Sequence, residues 1–196
     1  MKKLFSWSNL ASVAFAILII VVVVNPQAKA LILQGLMKVG LFKAPVENTE
    51  ATKSSVTHNT LPDLALIAPD GKQINLKDQK RKVIIINFWA TWCPPCIAEM
   101  PSINVMYGRY KNNPKVLFLS VDADNDFSKS VPFMQRHNYS FPVYNIAGPL
   151  PEGMIYNAIP TTIIIDKNGT IVARHEGAAD YADDSFYKYI DGLIAQ

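Results

Sequence analysis

Seven consecutive residues, Val83–Trp89 (VIIINFW), are apolar except for Asn87 and rich in β-branched side chains. A strand with one face in water alternates polar and apolar residues. A run without alternation belongs at the centre of a sheet, with a strand on each edge and cover on both faces. The chain must therefore supply further strands and helices, and the downstream pattern offers them. Leu64–Ile67 and Gln73–Leu76 flank Pro69-Asp70-Gly71 as a short hairpin. After the central run the pattern predicts a helix from about Pro94 to Tyr110, interrupted at Pro101. Val116–Val121 (VLFLSV) reads as a second buried strand and Phe127–His137 as a second helix. Thr161–Asp166 turns through Lys167-Asn168-Gly169 into Thr170–His175, a hairpin marked by Asn-Gly, and a last helix runs from about Asp183 to Ile194. Strand–helix–strand–helix followed by a hairpin and a helix predicts an α/β fold with a mixed sheet and helices on both faces. Ser140–Ala158, rich in Pro and Gly, reads as a central insertion near one edge.

Upstream of Leu61 the composition changes. Met1-Lys2-Lys3 precedes Trp7–Val24, a stretch without a charge whose length approaches the roughly 17–25 residues of a membrane span. Asn25-Pro26 breaks a helix, and Ala28-Lys29-Ala30 has the small-x-small form of a cleavage site. Residues 1–30 thus read as a retained signal anchor, or as a signal peptide removed after Ala30. Residues 31–43 are apolar with few charges and fit a segment lying in the membrane interface; the other reading is a helix packed on the domain. Residues 44–60 (APVENTEATKSSVTHNT) are a polar linker that would span roughly 20–25 Å as a flexible coil and hold the domain clear of a bilayer. Residues 61–196 are the folded domain. Lys2 and Lys3 favour a cytoplasmic N-terminus, while Lys29, Lys38 and Lys43 oppose it. Export of the long C-terminal part is still expected, because long domains translocate largely regardless of charge. The first three of these lysines in the chain, Lys2, Lys3 and Lys29, account for the whole formal net charge of +3. The remainder is balanced and has no basic stripe or phosphate-cradling glycine loop, so nucleic acid is not an expected partner.

The two cysteines of the chain, Cys93 and Cys96, follow the central run directly. That position puts the first sulfur exposed at a helix N-terminus, where unpaired N–H groups and the helix dipole favour the thiolate, the nucleophilic form. The second lies one turn inside, within reach to attack a mixed disulfide and release the product. Pro94 and Pro95 have a φ suited to the first turn but donate no hydrogen bond, which leaves Cys96 N–H as the nearest main-chain donor to the Cys93 sulfur. Cys93 is then less acidic than a thiol whose turn keeps both donors, and a weakly stabilised thiolate makes the dithiol a better reductant.

The stretch FWATWCPPC, with Ile159-Pro160-Thr161-Thr162 after the insertion and Pro101 five residues past Cys96, resembles the thioredoxin superfamily, and specifically its membrane-tethered TlpA/ResA-like branch of extracytoplasmic thiol–disulfide oxidoreductases. The resemblance covers about Leu61–Gln196 and implies a thioredoxin-like sheet flanked by helices, with an N-terminal hairpin, and a redox disulfide Cys93–Cys96. It further implies a cis Pro160 against the cysteine pair, with the Ile159 backbone and Trp92 forming the surface that binds an extended substrate chain. Asn87 stands where thioredoxin keeps a buried aspartate that helps move the resolving cysteine's proton. Glu99 matches an acidic residue of the ResA-like branch and at i+3 shares a helix face with Cys96, which makes it the proton relay; an exposed glutamate without a role is the alternative. Trp89 reads as core and Pro101 as a structural kink.

The implied function is a reductant of oxidised extracytoplasmic proteins, apocytochrome c cysteines in cytochrome c maturation being one instance. It would be recharged by a membrane or thioredoxin-type electron donor and needs no cofactor. A disulfide-forming oxidant or isomerase is the runner-up. A copper chaperone would need ligands beyond the two sulfurs, and His58, His137 and His175 have no local spacing to them. A purely structural bridge would close a loop too short to contribute much stability.

Overall fold

The computed structural model describes residues 7–38, 44, 61–154 and 156–196. Most of the polar linker therefore lies outside the described residues. The N-terminal part forms α1 (Trp7–Val24) and α2 (Pro26–Lys38). Their junction follows from Asn25-Pro26: Pro26 cannot donate back into α1, and Asn25 Oδ1 accepts the Gln27 N–H at 2.9 Å as the cap of α2. The two helices meet at 89°. No single described helix is long and apolar enough to cross a membrane, although Leu10–Val24 and Pro26–Met37 together have that composition.

The domain contains β1 (Ala65–Ile67), β2 (Gln73–Asn75), β3 (Val83–Trp89), α3 (Pro94–Tyr110), β4 (Val116–Asp122), α4 (Phe127–Arg136), β5 (Val143–Ile146), β6 (Thr161–Ile165), β7 (Ile171–Glu176) and α5 (Asp184–Ala195). The seven strands form one sheet in the order β2-β1-β5-β4-β3-β6-β7. β3 runs parallel to β4 and antiparallel to β6, and β4 runs parallel to β5. Val83–Trp89 is buried throughout, as its composition requires. Asp126 and Asp183 cap α4 and α5 with side-chain oxygens that accept Ser128 N–H and Ser185 N–H. Gly169, at φ 87°, occupies the left-handed position of the β6–β7 turn.

Three expectations are corrected. The segment 140–158 contains a strand, β5, and places it inside the sheet between β1 and β4 instead of near an edge. Helix α3 runs through Pro101 without interruption. The domain's α-helices share one face: Val83, Ile85 and Trp89 pack in a core with residues of α3, α4 and α5. Ile84, Ile86 and Phe88 pack on the other side with Leu64, Leu66, Leu76 and Met154, none of them in an α-helix. Connectivity explains this. β3, β4 and β5 are consecutive, parallel neighbours, and two right-handed crossovers stepping in the same direction put α3 and α4 on the same face.

Candidate active site

The C-terminal end of β3 delivers Cys93 to the N-cap of α3, with Pro94 and Pro95 in the first turn. Cys93 and Cys96 are joined as a disulfide, their Cα atoms 5.2 Å apart. Cys96 N–H donates to Cys93 Sγ at 3.3 Å, the donor the two prolines leave available. The Ile159–Pro160 bond is cis, and Cys93 Sγ lies 3.6 Å from Ile159 O. A disulfide sulfur carries no proton, so in this state that approach is a contact; a thiol at the same place could donate to the carbonyl. With the Ile159–Pro160 turn against it, Cys93 is only 3% exposed and Cys96 is fully buried. The bare sulfur expected at the helix tip is thus covered in the disulfide form. Trp92, by contrast, is 59% exposed beside it, its Nε1 donating to Asp124 Oδ2 at 2.7 Å. Trp89 is core, stacked at a tilt on Phe133.

Glu99 is not a surface residue. It is completely buried, on the helix that carries Cys96. Oε1 accepts from Asn87 Nδ2 at 2.8 Å, and Oε2 accepts from Ala179 N–H at 3.3 Å. Burial disfavours the carboxylate more than these two donors favour it, and the pKa is pushed up to about 8. Asn87 also donates to Thr162 Oγ1 at 3.0 Å, which is 2.7 Å from Tyr181 OH. Burial and the neighbouring Glu99 push the Tyr181 phenol upward.

The sheet register explains why these groups meet. Ser120, Asn87, Thr162 and His175 are successive partners across β4, β3, β6 and β7, so they form one polar row under α3. The row is closed by the segment after β7. Gly177, at φ 104°, turns the chain, and its N–H bonds Pro160 O at 2.8 Å. Ser102 Oγ donates to Glu99 O and accepts from Tyr181 N–H, which staples this segment onto α3. Asn87 and Glu99 were legible through the family resemblance, Glu99 also through its i+3 spacing to Cys96. Ala179, Thr162 and Tyr181 were not, because only register and a turn some 80 residues away bring them to Glu99; a lone tyrosine in a polar loop is a weak signal. Of the histidines considered as metal ligands, His137 stacks on Tyr139 and His175 sits in β7, half-buried with its pKa lowered by burial.

The Redoxin family profile matches residues 57–190. The chain is 36% identical over 114 residues to a thiol-disulfide oxidoreductase ResA of Bacillus cereus (strain ZK / E33L), a match covering 58% of this chain and 65% of that protein. With the ResA of Geobacillus kaustophilus (strain HTA426) it shares 35% identity over 134 residues, 63% of this chain and 70% of the other. The chain thus spans a little under two thirds of the first of these relatives. Among solved structures, a thiol:disulfide interchange protein of the thioredoxin family from Chlorobium tepidum TLS superposes with a TM-score of 0.57 at 25% identity, covering 69% of this chain and 95% of that one. A secreted thiol-disulfide isomerase from Corynebacterium glutamicum gives 0.56 at 25% identity, covering 69% and 86%.

Proposed function

The chain belongs to the Redoxin family and, within the thioredoxin superfamily, to the ResA-like thiol–disulfide oxidoreductases, and from that premise we propose that it reduces disulfides of proteins outside the cytoplasm. In the reaction, Cys93 thiolate attacks one sulfur of a substrate disulfide and expels the other as a thiolate. Cys96, losing its proton to Glu99, then attacks Cys93 of the mixed disulfide. The substrate leaves as two thiols and the enzyme is left as the Cys93–Cys96 disulfide, two electrons poorer. A second dithiol, carried by a membrane or thioredoxin-type donor, restores it. Trp92 and the Ile159–Pro160 turn receive the substrate chain next to Cys93.

The observation that carries the reducing direction is that, among the described residues, Cys96 N–H alone donates from the main chain to Cys93 Sγ. With Pro94 and Pro95 unable to donate, the Cys93 thiolate of the reduced state is poorly stabilised, and electrons leave readily. Measuring the reduction potential against glutathione and dithiothreitol tests this. A value near or below about −270 mV fits a reductant, whereas one near about −120 mV makes the protein an oxidant. Cys93→Ser should abolish protein-disulfide reduction, and Cys96→Ser should trap a mixed disulfide through Cys93. Turnover surviving Cys93→Ser would remove the assignment.

Membrane attachment is part of the same proposal. Helix α1 exposes most of its apolar side chains between Leu10 and Val24. Ala30, the last residue of the small-x-small motif, is buried in the middle of α2 rather than lying in an extended accessible segment, which favours retention over cleavage. Service in cytochrome c maturation would be one use of a reductant held at that surface.

A further inference from the structure

Helix α2 has two apolar faces, and among the described residues only one of them packs on the domain. Pro26, Ala30, Leu33, Gln34 and Met37 recur at helical spacing and point toward α3; Ala30 and Met37 are buried there and Leu33 packs on the same core. The contact has a specific polar element. In a regular helix the Ile97 carbonyl would accept the N–H of residue 101, but residue 101 is proline and has none. Gln34 Nε2 supplies a donor to this orphaned Ile97 carbonyl at 3.4 Å. The proline inside the redox helix thus creates the docking point for α2.

The opposite arc of α2 carries Leu31, Ile32 and Leu36, which are 67%, 51% and 39% exposed, with Lys29 at its border. Three large exposed side chains on one arc of a helix constitute a surface awaiting cover. Two observations say what covers it. The arc continues directly into α1, which exposes most of its apolar side chains between Leu10 and Val24. The 89° bend at Asn25 lays α2 in the plane of a membrane whenever α1 stands along its normal.

We propose that α2 is a two-faced clamp, seated by Leu31, Ile32 and Leu36 in the interface of a lipid bilayer and by Ala30, Gln34 and Met37 on the redox helix α3. This inference rests on the membrane attachment proposed above and goes beyond it. The polar linker does not set the height of the domain; α2 does. Packed helix axes lie about 8–10 Å apart and a helix has a radius of about 5 Å, so the axis of α3 sits about 15 Å above the acyl boundary. Cys93 is four residues from Ile97, about 6 Å along that axis. The disulfide is held at a fixed, short distance from the bilayer, where a thiol pair on a membrane-embedded partner can reach it.

The test uses the full chain reconstituted into vesicles of phosphatidylcholine and phosphatidylglycerol that contain a diazirine-acyl lipid, with crosslinked residues mapped by mass spectrometry. Label is expected on α1 and on Leu31, Ile32 and Leu36, with Ala30 and Met37 spared. Leu31→Gln/Ile32→Gln/Leu36→Gln should lose the α2 label and keep that on α1, with helix content and disulfide turnover in detergent unchanged. Label on α1 with none on α2 overturns the clamp and leaves attachment standing. Equal label on all sides of α2 makes it the second half of a bent span and also overturns the clamp. An unlabelled α1 removes the attachment reading itself.

Discussion

Glu99 is the residue where the environment sets the chemistry. Burial raises its carboxyl to about 8, much nearer the range of a thiol than an ordinary carboxyl lies, which is what the proposed transfer of the Cys96 proton to Glu99 requires. A carboxyl at its usual value would hold that proton several units too weakly. The sign for catalysis follows. Under the proposed relay, resolution by Cys96 uses the Glu99 carboxylate and should accelerate as pH rises through about 8, while opening of the enzyme disulfide uses the carboxylic acid and should slow over the same interval. Glu99→Gln should remove both inflections in stopped-flow thiol exchange and slow resolution by about 100-fold at pH 8, the low end for a general acid–base. An unchanged pH profile would leave Glu99 a buried structural group. The turn residues make a second prediction. Pro95→Ala restores an N–H beside Cys93 Sγ, and a hydrogen bond to a charged sulfur is worth about 1.5–3 kcal/mol. At about 30 mV per 1.4 kcal/mol, the reduction potential should rise by about 30–60 mV; no change would mean that the prolines do not tune the couple.

At the scale of elements, α3 concentrates the interest because a defect in it is used. Pro101 removes one intrahelical hydrogen bond, and Gln34 of α2 compensates from outside. A double-mutant cycle measures the link. Gln34→Ala should cost about 0.5–1 kcal/mol in the parent chain and close to nothing in Pro101→Ala, where the restored N–H already satisfies Ile97 O. Equal costs in both backgrounds would show the contact to be incidental. The same helix shows what a sequence makes legible. VIIINFW determined a central strand, and CPPC at its end determined a helix N-terminus with a sulfur on it. The Val143–Ile146 strand escaped because four residues of alternation beside Pro142 do not stand out from an irregular insertion. That α4 lies on the same face as α3 depends on β5 being the next parallel neighbour of β4, a pairing that no local pattern encodes. The Glu99 site was half legible for the same reason. Residues on its own strand and helix were in view, and those arriving through Gly177 were not.

For the whole molecule, the buried carboxyl should be visible as a stability that depends on pH. The folded state raises the Glu99 pKa from about 4.5 to about 8, so between those values the native protein binds a proton that the unfolded chain has lost. Stability from this group is complete below pH 4.5 and declines as pH rises toward 8. Asp122, also raised by burial, acts with the same sign but starts from a lower unfolded value. His175 opposes it. Burial lowers its pKa, so its contribution is complete above its unfolded value of about 6.5 and is lost as pH falls through the folded one. Below pH 6.5 the two slopes work against each other; between pH 6.5 and 8 Glu99 acts unopposed. The melting temperature of the oxidised chain in detergent should therefore fall across pH 6.5–8.5. Gln cannot ionise, and the Asn87 amide can turn to accept from it, so Glu99→Gln should flatten that fall, while His175→Gln should leave it and flatten the acid side. A parent protein equally stable at pH 6.5 and 8.5 would mean that Glu99 ionises without resistance, and both its burial and its part in moving the Cys96 proton would have to be abandoned together.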